Sequence, residues 1–153
     1  MNHSQNNEKK DYFVQQIAYI EENMKDLTAL YISSTPVQEQ FKHFFNVYIL
    51  ELEELISQNE VIPTISKVFI GTKVTVSYDD EDDTEEYVIC FPEHSDPDHG
   101  YISFLSPVGR QLLLKKIGES ISLKIPTGQL QVNIQKIDFV STSFDIERQT
   151  KEA

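Results

Sequence analysis

A chain of 153 residues with 39% hydrophobic residues can bury one ordinary core or two small ones. Its 13 lysines and arginines against 25 aspartates and glutamates leave a net charge of −12. That balance excludes nucleic acid as the main, direct ligand, because phosphate affinity comes from cations displacing counterions, and it makes a basic partner surface the expectation. No apolar run approaches the roughly 20 residues that span a bilayer, and Met1 to Lys10 lacks the apolar core of a signal peptide, so no membrane partner is expected and the cytoplasm is the expected location.

Residues 1–7 are polar and are expected to be flexible, with Asn7 or an earlier residue available to cap a helix. From there Phe13, Ile17, Ile20, Met24, Leu27 and Tyr31 alternate spacings of four and three, the heptad seam of a helix that packs along one side. The seam breaks at Ile32, Ser33 and Ser34. Thr35 is then the expected cap with Pro36 at the first helical position, where a missing N–H costs nothing. Val37, Phe41, Phe44, Tyr48 and Leu55 resume a near-heptad stripe. Residues 8–58 therefore read as an antiparallel α-helical coiled-coil hairpin with Tyr31, Ile32, Ser33, Ser34, Thr35 and Pro36 at its tip. Arms of some 22 to 25 residues would be about 33 to 37 Å long. Phe41, Phe44, Phe45 and Tyr48 are expected in the hairpin core. The second helix is more broadly apolar than a two-stranded seam requires, which leaves packing on a neighbouring domain or self-association open.

Ser57 to Ser66, with Pro63, marks a boundary, and beyond it the apolar period changes to two. Strands are expected over Lys73 to Tyr78, Glu86 to Phe91, Tyr101 to Leu105, Ser120 to Ile125 and Gln129 to Phe139, with a hairpin turn at Pro126 to Gln129. Residues 65–140 thus form an α+β domain, an antiparallel sheet with one short helix over a face. Ser141 to Ala153 lacks an apolar pattern and reads as a flexible tail.

The short helix lies in Gly100 to Gly118. Ser106 reads as its N-cap, Pro107 as its first residue, and Val108, Leu112 and Leu113 as its apolar side. Lys115 and Lys116 would occupy its last turn, where cations suit the helix dipole, and Gly118 would close it. Ser106 lacks the Gly-x-Ser-x-Gly surroundings of a nucleophile.

Other clusters have plain explanations. The lone Cys90, between Ile89 and Phe91, reads as a packing residue. The run Asp79 to Glu86 has no central glycine of a calcium loop and reads as a solvated hairpin tip, with steering towards a basic surface as a further use. His94-Ser-Asp-Pro-Asp-His99 has the composition of a transition-metal site, but its proline makes it an ordinary loop, and no metal or cofactor is expected. His43 and His3 carry no signal.

The segments Gly100-Tyr-Ile-Ser-x-x-Ser-Pro-Val-Gly-Arg-x-Leu-Leu, Lys116-Ile-Gly-Glu-Ser and Ile125-Pro-Thr-Gly, with an Asp-Pro loop before them, resemble the C-terminal domain of the GreA/GreB transcription elongation factor superfamily from about Ile65 to Phe139. The resemblance implies an FKBP-like fold that docks on the β′ coiled coil of bacterial RNA polymerase at the rim of the secondary channel, preceded by a coiled-coil hairpin that enters the channel. Carried onto this chain, the docking residues would be Ser106, Pro107, Val108 and Arg110, with Ser103 supporting the strand end. Cleavage-stimulating members carry paired carboxylates in an Asp-Leu-x-Glu-Asn-Ala-Glu-Tyr context at the hairpin tip. The tip here has none, and the nearest acids are Asp26 and Glu39. In length the chain resembles the short-hairpin Rnk-like branch.

The resemblance accordingly implies a non-enzymatic regulator that binds polymerase, without transcript cleavage. A second reading is a cleavage-stimulating factor that uses Asp26 or Glu39 to help hold a polymerase metal. A third is an FKBP-type prolyl isomerase, which requires an aromatic-lined pocket.

Overall fold

The computed structural model describes residues 2–57, 65–78 and 82–140, with the side chains of residues 2–7 outside that description. The chain divides into two compact units, Met1–Thr64 and Ile65–Ala153. The expected boundary around Pro63 and the expected tail from Ser141 both lie outside the described residues.

The first unit is a helical hairpin. Helix α1 spans Asn2–Tyr31 and helix α2 spans Thr35–Ser57, packed against each other. The first helix thus begins at Asn2, and its 30 residues make an arm of about 45 Å, longer than the seam alone suggests. Phe13, Ile20 and Leu27 are buried as the heptad requires. At the end of the seam α2 has only begun and offers little surface, so Tyr31 stays 52% exposed while Ile32, in the connection, is buried instead.

The cap of α2 also differs by one residue. Ser34, not Thr35, precedes the first helical residue: its carbonyl accepts from Gln38 N at 2.9 Å, and its Oγ accepts from Val37 N at 3.4 Å. The Gln38 side chain donates back to the Ile32 carbonyl, which closes the connection. In α2, Phe41, Phe45, Tyr48 and Leu52 are buried, and the rings of Phe41, Phe45 and Tyr48 follow one another at centroid distances of 4.7 and 4.8 Å. Phe44 is half-buried and touches both neighbouring phenylalanines. Among the apolar layers sits a polar pair that the periodicity does not announce. Gln16 of α1 is fully buried, and its Oε1 accepts from the Tyr48 hydroxyl at 2.6 Å.

The second unit is a five-stranded sheet in the order β3-β2-β1-β5-β4. The strands are β1 Thr72–Tyr78, β2 Thr84–Cys90, β3 Tyr101–Ser103, β4 Ser120–Ile125 and β5 Gly128–Phe139. One short helix, α3, spans Pro107–Leu112. Alternation puts Val74 and Val76 of β1 with Ile134 and Ile137 of β5 on the buried face, where Ile89, Phe91, Phe104, Leu112 and Leu123 join them. Lys136 pairs with Thr75 and Ile134 with Val76, so Gln135 is an extra residue that bulges β5 and bends the sheet. The β4–β5 connection is the expected tight hairpin at Pro126 and Thr127.

Three details depart from the sequence reading. The sheet is not wholly antiparallel: β3 runs parallel to β2, with Val88 opposite Tyr101 and Cys90 opposite Ser103. Two 3-10 turns, Pro92–His94 and Pro97–His99, carry the chain back along the strand so that it re-enters in the same direction. Helix α3 ends at Leu112, because Leu114 takes a left-handed φ of 66°. Lys115 and Lys116 therefore lie beyond the helix, where the Lys115 carbonyl accepts from Val68 N and Lys116 bridges Lys67. Neither lysine therefore meets the negative end of the α3 dipole in a last turn, and Gly118 serves a later turn. Among the described residues no helix is long and apolar enough to cross a membrane.

The buried Gln16–Tyr48 pair gives a direct test of hairpin packing. Tyr48→Phe removes the hydroxyl that Gln16 accepts from inside the core, and it is expected to lower unfolding free energy by about 1 to 3 kcal/mol. Urea titration followed by circular dichroism measures it, and an unchanged midpoint would refute the assignment.

Candidate partner-binding surfaces

In the sheet unit, the corner between β3 and α3 is a set of interlocking backbone and side-chain contacts. The Ser103 carbonyl accepts from both Ser106 N at 3.0 Å and Ser106 Oγ at 2.7 Å, while Ser103 Oγ accepts from Leu105 N at 3.0 Å. Ser106 Oγ in turn accepts from Gly109 N at 3.1 Å, the expected N-cap, with Pro107 in the first turn. Gly109 is required for proximity: a Cβ built there would stand 2.1 Å from the Ser103 carbonyl oxygen. The motif Ser-x-x-Ser-Pro-Val-Gly-Arg is thus first a description of how α3 is held against β3.

That geometry divides the five residues expected to bind a partner. Ser103 is buried and Ser106 half-buried, and the oxygens of both are engaged within the corner. Pro107 is exposed, and Val108 and Arg110 are half-buried beside it. The Arg110 side chain makes no hydrogen bond or ion pair among the described residues. The outward face of the corner is therefore a rigid proline, an aliphatic side chain and an uncommitted guanidinium, a combination suited to an apolar surface with acceptors beside it.

Sequence reasoning missed Gln111. Its Nε2 donates to the Lys124 carbonyl at 2.9 Å and its Oε1 accepts from Lys124 N at 2.8 Å, so one amide pairs with the edge strand β4 as another strand would. Nε2 also donates to the Pro107 carbonyl at 2.9 Å, which connects that edge to the first turn of the corner. A glutamine can do this because its amide carries a donor and an acceptor side by side, but nothing in its sequence position announces the partner.

At the hairpin tip, Tyr31, Ser33, Ser34, Thr35 and Pro36 are exposed, and Ile32 is buried. Leu30 is 75% exposed next to Tyr31. The tip offers hydroxyls and apolar surface but no carboxylate. Asp26 and Glu39 are exposed, and Asp26 lies five residues before the end of α1, about 8 Å down the arm.

The remaining clusters have local roles. Asp79, Asp80 and Glu81 of the acidic run lie outside the described residues. Within β2, Glu85 accepts from the Tyr78 hydroxyl, which together with burial holds that phenol in its protonated form beyond the usual range. His99 pairs with Asp96 at 2.8 Å, and among the described residues no group of three His, Cys, Asp or Glu side chains is placed to hold a metal. Cys90 is fully buried. Burial, with a smaller contribution from Glu93, pushes its thiol up to about 12. Phe91 and Phe104, also fully buried, meet edge to face at 5.2 Å.

Comparison with known proteins places these features in a family. The family model described as "Transcription elongation factor, GreA/GreB, C-term" matches residues 63–139. A transcription elongation factor GreA from Wolinella succinogenes is 33% identical over 106 residues, 67% of this chain and 65% of that protein. One from Chlorobium phaeovibrioides is 36% identical over 94 residues, 58% of this chain and 59% of that protein. The chain thus spans somewhat less than two thirds of the length of these relatives. A solved GreA/GreB structure from Nitrosomonas europaea shares the fold, with a TM-score of 0.55 at 21% identity, over 83% of this chain and 93% of that one. A two-helix hairpin followed by a bent five-stranded sheet with one short helix defines the class, and this chain belongs to the GreA/GreB transcription elongation factor family.

The corner makes a prediction that separates shape from surface. Gly109→Ala is expected to destabilise the protein by about 2 kcal/mol or more, since the methyl group meets fixed backbone, whereas Arg110→Ala changes stability by less than about 0.5 kcal/mol. Chemical denaturation of the two variants checks it, and equal midpoints would refute the close approach.

Proposed function

We propose that this protein is a cytoplasmic transcription regulator that binds bacterial RNA polymerase and is not itself an enzyme. Its sheet unit docks through Pro107, Val108 and Arg110 on the β′ coiled coil at the rim of the secondary channel, and its hairpin occupies or obstructs that channel. Ser103 and Ser106 contribute by holding the corner in shape rather than by contact.

The observation that carries this reading is the chemistry of the hairpin tip within a chain of this family. Supplying a second divalent cation to a polymerase active site requires hard oxygen ligands at the point of insertion. Residues 31–36 supply an aromatic ring, a buried isoleucine, three hydroxyls and a proline. Asp26 and Glu39 are set back along the arms, so binding is favoured over stimulation of cleavage. In this respect the hairpin is similar to the Rnk-like branch.

Two assays on purified components test the proposal. Core polymerase is expected to retain the chain, and Pro107→Ala combined with Arg110→Ala is expected to weaken retention by about tenfold or more while leaving the fold intact. With a backtracked elongation complex, saturating protein is expected to release no short 3′ RNA fragments. Absence of any association would overturn the proposal. Fragment release that Asp26→Asn or Glu39→Gln abolishes would replace it with the cleavage-stimulating reading.

A further inference from the structure

Helix α3 has six residues, too few to hold its own direction, since an isolated helix of that length is not stable in water. Its start is fixed to β3 through Ser103, Ser106 and Gly109. Its other attachment through a side chain is Gln111, which is half-buried and whose single amide makes three bonds. Nε2 gives one hydrogen to the Lys124 carbonyl and the other to the Pro107 carbonyl, each at 2.9 Å, and Oε1 accepts from Lys124 N at 2.8 Å. The orientation of the amide follows from its partners, because a backbone N–H can only donate and the two carbonyls can only accept. The three bonds do different things. Those to Lys124 tie the amide to β4, which is paired along its whole length with β5. The bond to Pro107 carries that fixed position to the first residue of α3.

We infer that Gln111 is a positioning residue for polymerase docking, one that sets where Pro107, Val108 and Arg110 stand without being part of the contact. The inference rests on the reading of the β3–α3 corner as the docking surface. Proline fixes its own φ but not the direction of the helix it begins, and Arg110 carries its guanidinium on a long side chain that magnifies any tilt of that helix. With the amide in place the helix is held from both sides, and a partner meets the corner already in shape. Without it, association has to order the helix first, and that lost freedom is subtracted from affinity. A purely structural glutamine behaves differently. Its loss lowers stability, but while nearly every molecule stays folded the affinity of the folded protein does not change.

Fluorescence anisotropy of the labelled full chain, titrated with core polymerase, tests this. Gln111→Met keeps the length and the apolar stem of the side chain and removes the amide. It is expected to raise Kd about fivefold, with unchanged circular dichroism and a denaturation midpoint well above the titration conditions. Added to the Pro107→Ala, Arg110→Ala variant, the same substitution is expected to raise Kd by less than about 1.5-fold further, because little of the contact is left to position. A folded Gln111→Met that binds as tightly as the wild type would overturn the inference and leave the docking proposal standing. So would a fivefold loss that persists in full in the Pro107→Ala, Arg110→Ala background, since Gln111 would then act apart from the corner. A wild-type chain that fails to bind polymerase would overturn the docking proposal, and this inference with it.

Discussion

The approach of Gly109 to the Ser103 carbonyl is the contact on which the shape of the sheet unit depends. At a distance where no Cβ fits, a single carbonyl oxygen accepts the backbone and side-chain donors of Ser106 while the helix it starts lies against the strand. That pins α3 to β3, at one edge of the sheet. Gln111 then reaches β4, at the other edge, so a helix of six residues connects both ends of the strand order. The residues left facing outward, Pro107, Val108 and Arg110, inherit a fixed geometry from contacts they do not make. A binding surface built this way loses little conformational freedom when a partner arrives.

Much of this was legible in the sequence because it rests on local rules. The heptad seam from Phe13 to Leu27 and the Ser-Pro start of α3 each follow from periodicity or capping chemistry that neighbouring residues settle among themselves. The strand alternation around Val74 and Val76 is of the same kind. What escaped was decided by distant parts of the chain. The parallel entry of β3 depends on how two 3-10 turns dispose of residues 92–99, and the early end of α3 depends on Leu112 and Leu113 seeking the core while Leu114 turns left-handed. Gln16 reads as a surface residue until Tyr48, 32 positions later, supplies its donor. Gln111 likewise has a role only because β4 lies beside it. At the tip, heptad spacing assigned Tyr31 to the interior, but a seam residue needs an opposing layer, and the second helix has barely begun there.

The functional residues divide in the same way. The motif that identifies the family is largely structural: Ser103, Ser106 and Gly109 explain why the segment folds as it does, and only its exposed remainder is free to recognise anything. The hairpin shows the complementary case. Its ends and faces are set by ordinary helix packing, yet the tip, residues 31–36, carries no acid.

The central claim is that the exposed half of the β3–α3 corner contacts polymerase while the buried half only shapes it. Site-specific photo-crosslinking tests this most directly, with a photoreactive residue placed at position 108 and, for comparison, at the exposed position 129 on β5. In a complex with core polymerase, the account predicts a crosslink from position 108 to the β′ subunit and none from position 129. A complex that forms yet crosslinks only from position 129, or from neither site, would contradict it.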